Sequence, residues 1–226
     1  STGVIGRRLP VNKIHEGCKI IPEKLGSSPE YIDNFARAIM TTDTHPKWCS
    51  ASIENSTLLG VAKGAGMIEP NMATMLSFFV TDAKLSSDQL QTILRSVVNQ
   101  SFNRISIDSD TSTSDTVIIL ANGLAGPVDA QQFEKAFSNS ARQLAKEIAR
   151  DGEGATKLIE LTVSGAKSQQ MALQISKSII NSPLVKTAIH GADPNWGRFV
   201  MAVGKVFEYP VKLDDLLIHF GRVSQR

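Results

Sequence analysis

Apolar residues recur at intervals of three and four positions in several stretches of this sequence, which is the period of an amphipathic helix. The clearest stretch, residues 87–100, places on one face Leu90, Ile93, Leu94, Val97 and Val98. The longest stretch, residues 130–150, does the same with Phe133, Phe137, Leu144 and Ile148. Further helices are predicted at residues 11–17, 29–40, 168–181, 183–188 and 195–204.

Short apolar or alternating runs between these helices predict β-strands. The predicted strands are residues 48–53, 57–62, 75–81, 116–121 and 157–164. A hairpin turn is predicted at Asn55-Ser56 and a second turn at Asn122-Gly123. Because helices and strands alternate without the glycine fingerprint of a Rossmann fold, the predicted fold class is α/β. We expect a layered α/β sandwich of mixed sheets with flanking helices.

A stretch that suits neither element separates two of the predicted strands. Residues 63–76 read K-G-A-G-M-I-E-P-N-M-A-T-M-L, with two glycines and a proline between apolar runs. Such a composition favours a shaped loop over a regular element. We interpret this loop as the active site.

The chemistry that fits the loop centres on Thr74. An internal threonine is a weak nucleophile, and no neighbour in sequence offers a base. Cleavage of the Ala73–Thr74 bond would give Thr74 a free α-amine, whose ordinary pKa lies near neutral pH. That amine could take the hydroxyl proton, so one cleavage would create both nucleophile and base.

Charge and composition exclude several classes of function. The chain has 226 residues, of which 42% are hydrophobic and 20% charged, and its net charge is +2. It contains no block of like charges, so nucleic-acid binding is not predicted. No apolar run approaches the roughly 20 residues of a membrane span, and no leader opens the chain. We expect a soluble, intracellular protein without membrane partners.

Cysteine and carboxylate spacings do not predict a metal site. Cys18 and Cys49 are interpreted as reduced, partly buried thiols. The acidic run Asp108, Asp110 and Asp115 fails as a calcium loop, because the glycine and glutamate that such a loop requires are absent. These aspartates are interpreted as carboxylates that accept hydrogen bonds within a loop. No metal is predicted.

The active-site loop closely resembles the self-cleavage segment of the ornithine acetyltransferase family, also called glutamate N-acetyltransferases, of arginine biosynthesis. Other blocks agree in order: S-T-G-V-I-G at 1–6, T-T-D-T at 41–44, S-x-D-x-D-T-S-T-x-D-T at 106–116, D-G-E-G-A-T-K at 151–157 and D-P-N-W-G-R at 193–198. The resemblance covers essentially the whole chain. It implies that residues 1–226 are the central portion of such a protein, cleaved into 1–73 and 74–226, with the family's N-terminal and C-terminal segments absent.

The resemblance also implies roles for individual residues. Thr74 would be the nucleophile, with its own α-amine as base, and Ala73 would form the acyl side of the cleaved bond. Thr2 and Gly3 would form the oxyanion hole. Thr41, Lys63, Glu153 and Thr74 would bind substrate, with Lys63 on its carboxylate and Glu153 on its ammonium group. The segment Asn195 to Arg198 is expected to pack and cap rather than to catalyse.

The implied activity is transfer of the acetyl group of N-acetylornithine to glutamate through an acetyl-Thr74 intermediate. No cofactor is required, although acetyl-CoA stays open as an alternative acetyl donor. The implied assembly is a heterotetramer of two cleaved protomers, and the implied compartment is the cytoplasm, or the mitochondrial matrix if the source is a fungus. Two alternatives stay open: a self-processing aminopeptidase or amidohydrolase with an N-terminal threonine, and a catalytically inactive truncated fragment.

Overall fold

The computed structural model describes residues 6–69, 75–212, 214 and 216–221. Its strands form one four-stranded sheet in the order β1-β2-β3-β4. The strands are β1 (Lys47–Ile53), β2 (Ser56–Lys63), β3 (Leu76–Lys84) and β4 (Thr116–Pro127). The first three pair antiparallel, while β3 and β4 are parallel. The predicted α/β class and the mixed strand pairing are confirmed. Several mixed sheets are expected from the sequence, whereas the described residues form one mixed sheet.

The helices lie before, between and after the strands. They are α1 (Val11–Ile20), α2 (Pro29–Ala38), α3 (Ser87–Gln100), α4 (Ala130–Arg150), α5 (Gln169–Ile180), α6 (Pro183–His190) and α7 (Trp196–Gly204). Short 3₁₀ turns occupy Ile21–Lys24 and Phe102–Arg104. No helix among these is long and apolar enough to cross a membrane. Helix α3 lies in the connection between β3 and β4, which allows those two strands to run parallel.

Side-chain caps explain why the two longest helices begin where the sequence predicts. The Ser86 hydroxyl accepts from the Gln89 N–H at 3.2 Å, and the Gln89 side chain accepts from the Ser86 N–H at 3.0 Å. This capping box satisfies two of the N–H groups that a helix start leaves without partners. Asp129 caps α4 in the same way, accepting from the Gln132 N–H at 2.8 Å. Both predicted helices are confirmed with their bounds.

The main core fills the space between the sheet and helices α3 and α4. Phe79, at 0% exposure, lies at its centre, and its ring centroid is 4.6 Å from that of Phe137 and 6.4 Å from that of Phe102. The predicted α4 stripe of Phe133, Phe137, Leu144 and Ile148 is buried here. The opposite face of β3 and β4 leaves apolar side chains such as Val80 and Leu120 exposed. Burial on one face only accounts for the alternation along these strands.

A second, smaller cluster joins helices α5, α6 and α7. Its buried members are Ile175, Ile179, Val185, Phe199, Ala202 and Val203. Leu161 and Val163 pack against it from the segment that precedes α5.

Three predictions about local structure are wrong. Residues 157–164 form no strand, because their alternation reflects packing against the small cluster and no described strand pairs with them. The Asn122-Gly123 turn is absent, since β4 continues to Pro127, with Gly123 at φ 75° and a register shift between Thr81 and Ala83. The predicted hairpin of β1 and β2 is confirmed, but its turn is Glu54-Asn55, one residue earlier than predicted, because Ile53 pairs with Ser56.

The predictions for the two cysteines and for residues 195–198 are each confirmed only in part. Cys49 is buried as expected, whereas Cys18 is exposed on α1, a helix that buries none of its residues. Trp196 is largely exposed and Asn195 makes no capping bond, so the packing role predicted for this segment is wrong for both. Arg198 instead donates to the Leu184 carbonyl and the Thr187 hydroxyl of α6, at 2.8 Å each.

Candidate active site

The predicted active-site loop leaves the sheet and returns to it at one place. Strand β2 ends at Lys63, β3 begins at Leu76, and these two residues are paired. The loop therefore projects from one end of two neighbouring strands. Its described part is residues 64–69 together with Met75. The predicted nucleophile Thr74, Ala73 and the oxyanion pair Thr2 and Gly3 lie outside the described residues.

A buried ion cluster supports the start of this loop. The Lys47 side chain is 0% exposed, and its ammonium lies 2.7 Å from Asp43 Oδ1 and 2.6 Å from Asp151 Oδ2. Asp43 also accepts from the N–H of Gly64 at 2.7 Å and from that of Thr41 at 3.2 Å. We call Asp43, Lys47 and Asp151 the buried triad. It joins the T-T-D-T loop, the first residue of β1, the active-site loop and the end of α4.

The triad's carboxylates are held in their charged form. Burial alone raises the pKa of Asp43, but the Gly64 N–H, the Lys47 ammonium and the Thr41 N–H outweigh it, and the pKa is lowered. Burial likewise raises the pKa of Asp151, but Lys47 and two hydrogen bonds from Thr44 lower it on balance. Both aspartates therefore carry negative charge at neutral pH.

The acidic run that begins at Asp108 contacts the loop through side-chain and backbone hydrogen bonds. The Asp108 carboxylate accepts from the N–H of Met67 at 2.5 Å and of Ile68 at 2.8 Å. Backbone bonds join the same two segments, from Ile107 N–H to the Ile68 carbonyl at 2.6 Å and from Glu69 N–H to the Asp110 carbonyl at 3.0 Å. For Asp108, the prediction of a hydrogen-bonded loop carboxylate is confirmed.

Asp115 holds the point at which the chain re-enters the sheet. Its Oδ1 accepts from the Met75 N–H at 2.6 Å, and the Met75 carbonyl accepts from the Thr116 N–H at 3.1 Å. Its Oδ2 is buried and finds no donor among the described residues. Burial raises the pKa of Asp115 to about 6, although the Met75 N–H and the Lys63 charge both favour the carboxylate.

Lys63 is a buried cation at the end of β2. It is only 7% exposed, so the alternative of a solvated surface charge does not apply to it. Within the described part of the chain its ammonium forms no ion pair, and it acts electrostatically on Asp115. A buried ammonium needs a counter-charge or acceptors. Asp115 provides a counter-charge beyond ion-pair distance, and an anionic ligand would supply a closer one.

Glu153 contacts the loop at Ala65 and Gly66 and is exposed to solvent. Its N–H donates to the Ala65 carbonyl at 2.7 Å, and its carboxylate packs on Gly66 so closely that an added Cβ would lie 2.7 Å from it. Glu153 also borders a cavity of about 360 Å³ whose wall includes Thr156, Lys157 and His190. The structure thus brings a buried cation and an accessible carboxylate to one loop.

The sequence profile of the ArgJ family matches residues 1–225. The chain belongs to the ArgJ family.

Individual relatives agree with this assignment. The ArgJ-family chain is 51% identical over 225 residues to glutamate N-acetyltransferase Oat2 of Streptomyces clavuligerus, covering 99% of the chain and 57% of the relative. It is 53% identical over 225 residues to the arginine biosynthesis bifunctional protein ArgJ 2 of Nostoc sp., covering 99% of the chain and 58% of the relative. The chain therefore spans about half the length of the curated relatives it matches.

A solved structure supports the fold. The crystal structure of arginine biosynthesis bifunctional protein ArgJ from Bacillus halodurans matches with a TM-score of 0.56 at 50% identity. The match covers 58% of this chain and 65% of that one.

Sequence reasoning missed the residues that hold the ArgJ-family loop in place, namely Asp43, Lys47 and Asp151. Asp43 and Asp151 stand inside blocks that the resemblance singled out, so they could have been considered. Lys47 left a subtler signal, because it occupies the same face of β1 as the buried Cys49 and Ile53. A lysine at an inward position of a strand requires a buried partner.

Metal binding finds no support in the described part of this chain, where no group of three or more histidine, cysteine, aspartate or glutamate side chains could hold an ion. Asp108 and Asp115 instead accept backbone N–H groups.

Proposed function

We propose that the protein containing this chain transfers the acetyl group of N-acetylornithine to glutamate, through an acetyl ester on Thr74 formed after self-cleavage at Ala73–Thr74. Family membership supports the reaction class, since a relative at 51% identity is named glutamate N-acetyltransferase. The observation that carries the choice of substrate is the pair of opposite charges at the loop, the buried Lys63 and the accessible Glu153.

N-acetylornithine presents two charges, an α-carboxylate and a side-chain ammonium. The carboxylate would give the Lys63 ammonium a direct ion-pair partner, which it lacks among the described residues, where Asp115 acts on it only from a longer distance. The ammonium would pair with Glu153, whose exposed side chain borders the cavity of about 360 Å³. A charged hydrogen bond is stronger than a neutral one, and the gain is larger where water is excluded. Lys63 is therefore expected to contribute more to affinity than Glu153. Thr41, whose N–H is held by Asp43, would contribute a hydroxyl.

Self-processing would begin with attack of the Thr74 hydroxyl oxygen on the Ala73 carbonyl carbon. The peptide C–N bond breaks as the ester forms, and the Thr74 α-amine is released. Water then hydrolyses the ester, leaving the Ala73 carboxylate and a free Thr74 hydroxyl. Thr74 is thereby joined to β3 only through the peptide bond to Met75, whose N–H donates to Asp115.

Transfer would follow in two steps. The Thr74 oxygen attacks the acetyl carbonyl carbon while the α-amine accepts the hydroxyl proton and passes it to the departing ornithine nitrogen. The glutamate amine then attacks the ester carbon, and the same proton path runs in reverse. Thr2 and Gly3 are the proposed donors to the oxyanion in both steps. No cofactor is needed because the donor already carries the acetyl group, and the proposed assembly is the heterotetramer of two cleaved protomers.

Intact mass under denaturing conditions tests this proposal directly. Cleavage at the proposed bond gives fragments of 73 and 226 − 73 = 153 residues. Incubation with N-acetylornithine should add one acetyl group to the larger fragment. Subsequent addition of glutamate should remove it and yield N-acetylglutamate. Thr74→Ala should stay whole and unlabelled.

Two other results would point elsewhere. Discharge of the acetyl group to water at a rate that glutamate does not change would favour the self-processing amidohydrolase. A wild-type chain that stays whole and takes no label would contradict the proposal and favour the inactive fragment.

A further inference from the structure

The buried triad connects three segments that each carry a proposed substrate residue. Thr41 lies two residues before Asp43, whose carboxylate accepts the Thr41 N–H. Lys63 directly precedes Gly64, whose N–H donates to the same carboxylate. Glu153 lies two residues after Asp151. We propose that Lys47, with Asp43 and Asp151, is the positioning unit of the substrate site, setting the relative placement of Thr41, Lys63 and Glu153.

The contacts form a closed circuit. Lys47 pairs with Asp43, and Asp43 accepts the N–H of Gly64, which precedes Ala65 in the active-site loop. The Ala65 carbonyl accepts the Glu153 N–H at 2.7 Å, and the chain leads back through Asp151 to Lys47. Because the circuit is closed, no segment in it can shift without stretching a contact elsewhere.

The charges of the triad make this circuit resistant to rearrangement. Removing one member would leave a buried charge without its partner, which is far more costly than loss of the same contact at a surface. A second link strengthens the Asp151 corner, where the Thr44 N–H donates at 3.0 Å and the Thr44 hydroxyl also donates. The His45 ring lies 3.4 Å from Asp151 Oδ1 and 3.6 Å from Glu147.

Stability alone does not account for three buried charges at this place. Buried ion pairs can often be replaced by apolar residues of similar volume without loss of stability, because desolvation offsets much of the attraction. Lys47 begins a strand whose inward side chains are otherwise apolar. What the charges add is a defined geometry, and they add it next to all three proposed substrate residues that the structure describes. Lys47 is thus a positioning residue that touches no substrate.

The test rests on the proposed function and uses three variants of the whole chain. The neutral triple variant Asp43→Asn/Lys47→Met/Asp151→Asn removes the charges but leaves oxygens to accept the Gly64 and Thr44 N–H groups. Lys47→Arg keeps the charge and changes the geometry. Lys146→Met is the matched control, since Lys146 forms an exposed pair with Glu160 outside the site.

Steady-state kinetics give the first readout. We expect the neutral triple variant to fold and to raise the KM for N-acetylornithine at least tenfold, with a smaller fall in kcat, because misplacement of binding groups by about 1 Å is enough for such losses. Lys47→Arg should fall between the triple variant and wild type. A folded triple variant with wild-type kinetics would overturn the proposal. If the triple variant does not fold, Lys47→Arg decides: wild-type KM refutes the proposal and a raised KM with unchanged melting temperature supports it.

Hydrogen exchange gives a second readout that does not depend on activity. The Gly64 and Glu153 amides lie in the circuit, whereas the Phe79 amide lies in the sheet. In whichever of the triple variant or Lys47→Arg is folded, both circuit amides should exchange faster together while the Phe79 amide keeps its protection. Unchanged exchange at either circuit amide would refute the positioning role. If wild type proves inactive as an acetyltransferase, this arm still tests the triad, so the two failures can be told apart.

Discussion

The sheet core and the α5–α7 cluster differ in how completely they bury their apolar side chains. Phe79 and Phe137 in the sheet core are both at 0% exposure, whereas Phe199 in the smaller cluster is at 8%. The smaller cluster also borders a cavity of about 740 Å³, whose wall includes Ile175, Ile179 and Phe199. Close packing resists deformation, and a cavity removes contacts on one side of a side chain. The sheet core is therefore the stiffer of the two.

The same difference extends to how each region contacts the active-site loop. The sheet side meets it through the buried triad and Asp108. The helical side reaches it through partly buried side chains, the Asn181 amide donating to the Glu69 carboxylate at 2.7 Å and the long Lys177 side chain lying 3.7 Å from that carboxylate. Lys186 of α6 acts one step away, donating at 2.5 Å to the carbonyl of Ile107, whose own N–H donates to Ile68 of the loop. Long flexible side chains tolerate small shifts that a buried ion cluster does not. The site's geometry is thus set from the sheet side.

Matched truncations of one aromatic residue in each region give the largest expected contrast. Phe79→Ala should lower the free energy of unfolding by about 3–5 kcal/mol, as buried aromatic truncations do. Phe199→Ala should cost about 2 kcal/mol or less, since its site is partly open and borders a cavity that already lacks contacts. Urea denaturation of both variants measures the difference. Equal losses would mean that the two regions are packed alike.

Matched glycine substitutions separate packing from substrate binding. A Cβ at Gly60 would lie 2.5 Å from the Phe79 ring, so Gly60→Ala should destabilise the chain by about 1–3 kcal/mol through overpacking. The three heavy atoms nearest to a Cβ at Gly66 all belong to the exposed Glu153 carboxylate, which can move aside. Gly66→Ala should therefore change stability by less than about 0.5 kcal/mol. It should nevertheless raise the KM for N-acetylornithine.

Denaturation and kinetics on the same two preparations check this pair. A Gly66→Ala chain that is destabilised as much as Gly60→Ala, or that binds substrate as wild type does, would contradict the assignment of Glu153 to an accessible, substrate-facing position.

The pH dependence of stability distinguishes Asp115 from the triad. Burial raises the pKa of Asp115 to about 6 from an ordinary 3.8, so between these values the folded state binds protons more tightly than the unfolded state. Stability relative to Asp115→Asn should therefore rise as pH falls from about 6 toward 4.

The pKa values of Asp43 and Asp151 are lowered from 3.8, so their stabilisation is present above that pH and is lost only on further acidification. Chemical denaturation at several pH values measures the rise expected from Asp115 and the fall expected from Asp43 and Asp151. If wild type lost stability relative to Asp115→Asn as the pH fell from about 6 toward 4, the burial of Asp115 would be contradicted.

The smallest effect is expected at the surface of the junction between the two regions. Lys146 pairs with Glu160 at 2.9 Å, and both side chains are more than half exposed. Exposed ion pairs contribute about 0.2–1 kcal/mol, so Lys146→Ala should lie in or below that range. Denaturation of Lys146→Ala in low and high salt measures the free energy of unfolding that is lost. A loss above this range that persists in high salt would mean that residues 157–164 depend on this ion pair.

Local and periodic features of this molecule could be predicted from its sequence. The bounds of α3 and α4 follow from Ser86, Asp129 and the apolar spacing, because capping and burial of one helical face depend on residues close together in the chain. The active-site loop is recognisable by its glycines and by its resemblance to a known family, which the ArgJ family match confirmed at the level of the family. That resemblance implies Lys63 and Glu153 as substrate residues, and the structure has both at the loop.

Long-range contacts decided the rest. Residues 157–164 alternate like a strand, but a strand also needs a partner, and pairing is a property of the assembled sheet. The triad joins Asp43 and Lys47 to Asp151, more than a hundred positions away, so no local pattern could disclose it. Whether the Lys63 side chain is buried or solvated depends equally on what folds over it. The chain's own spacing specifies where elements start and end, whereas the charge environment of the site exists only once distant segments meet.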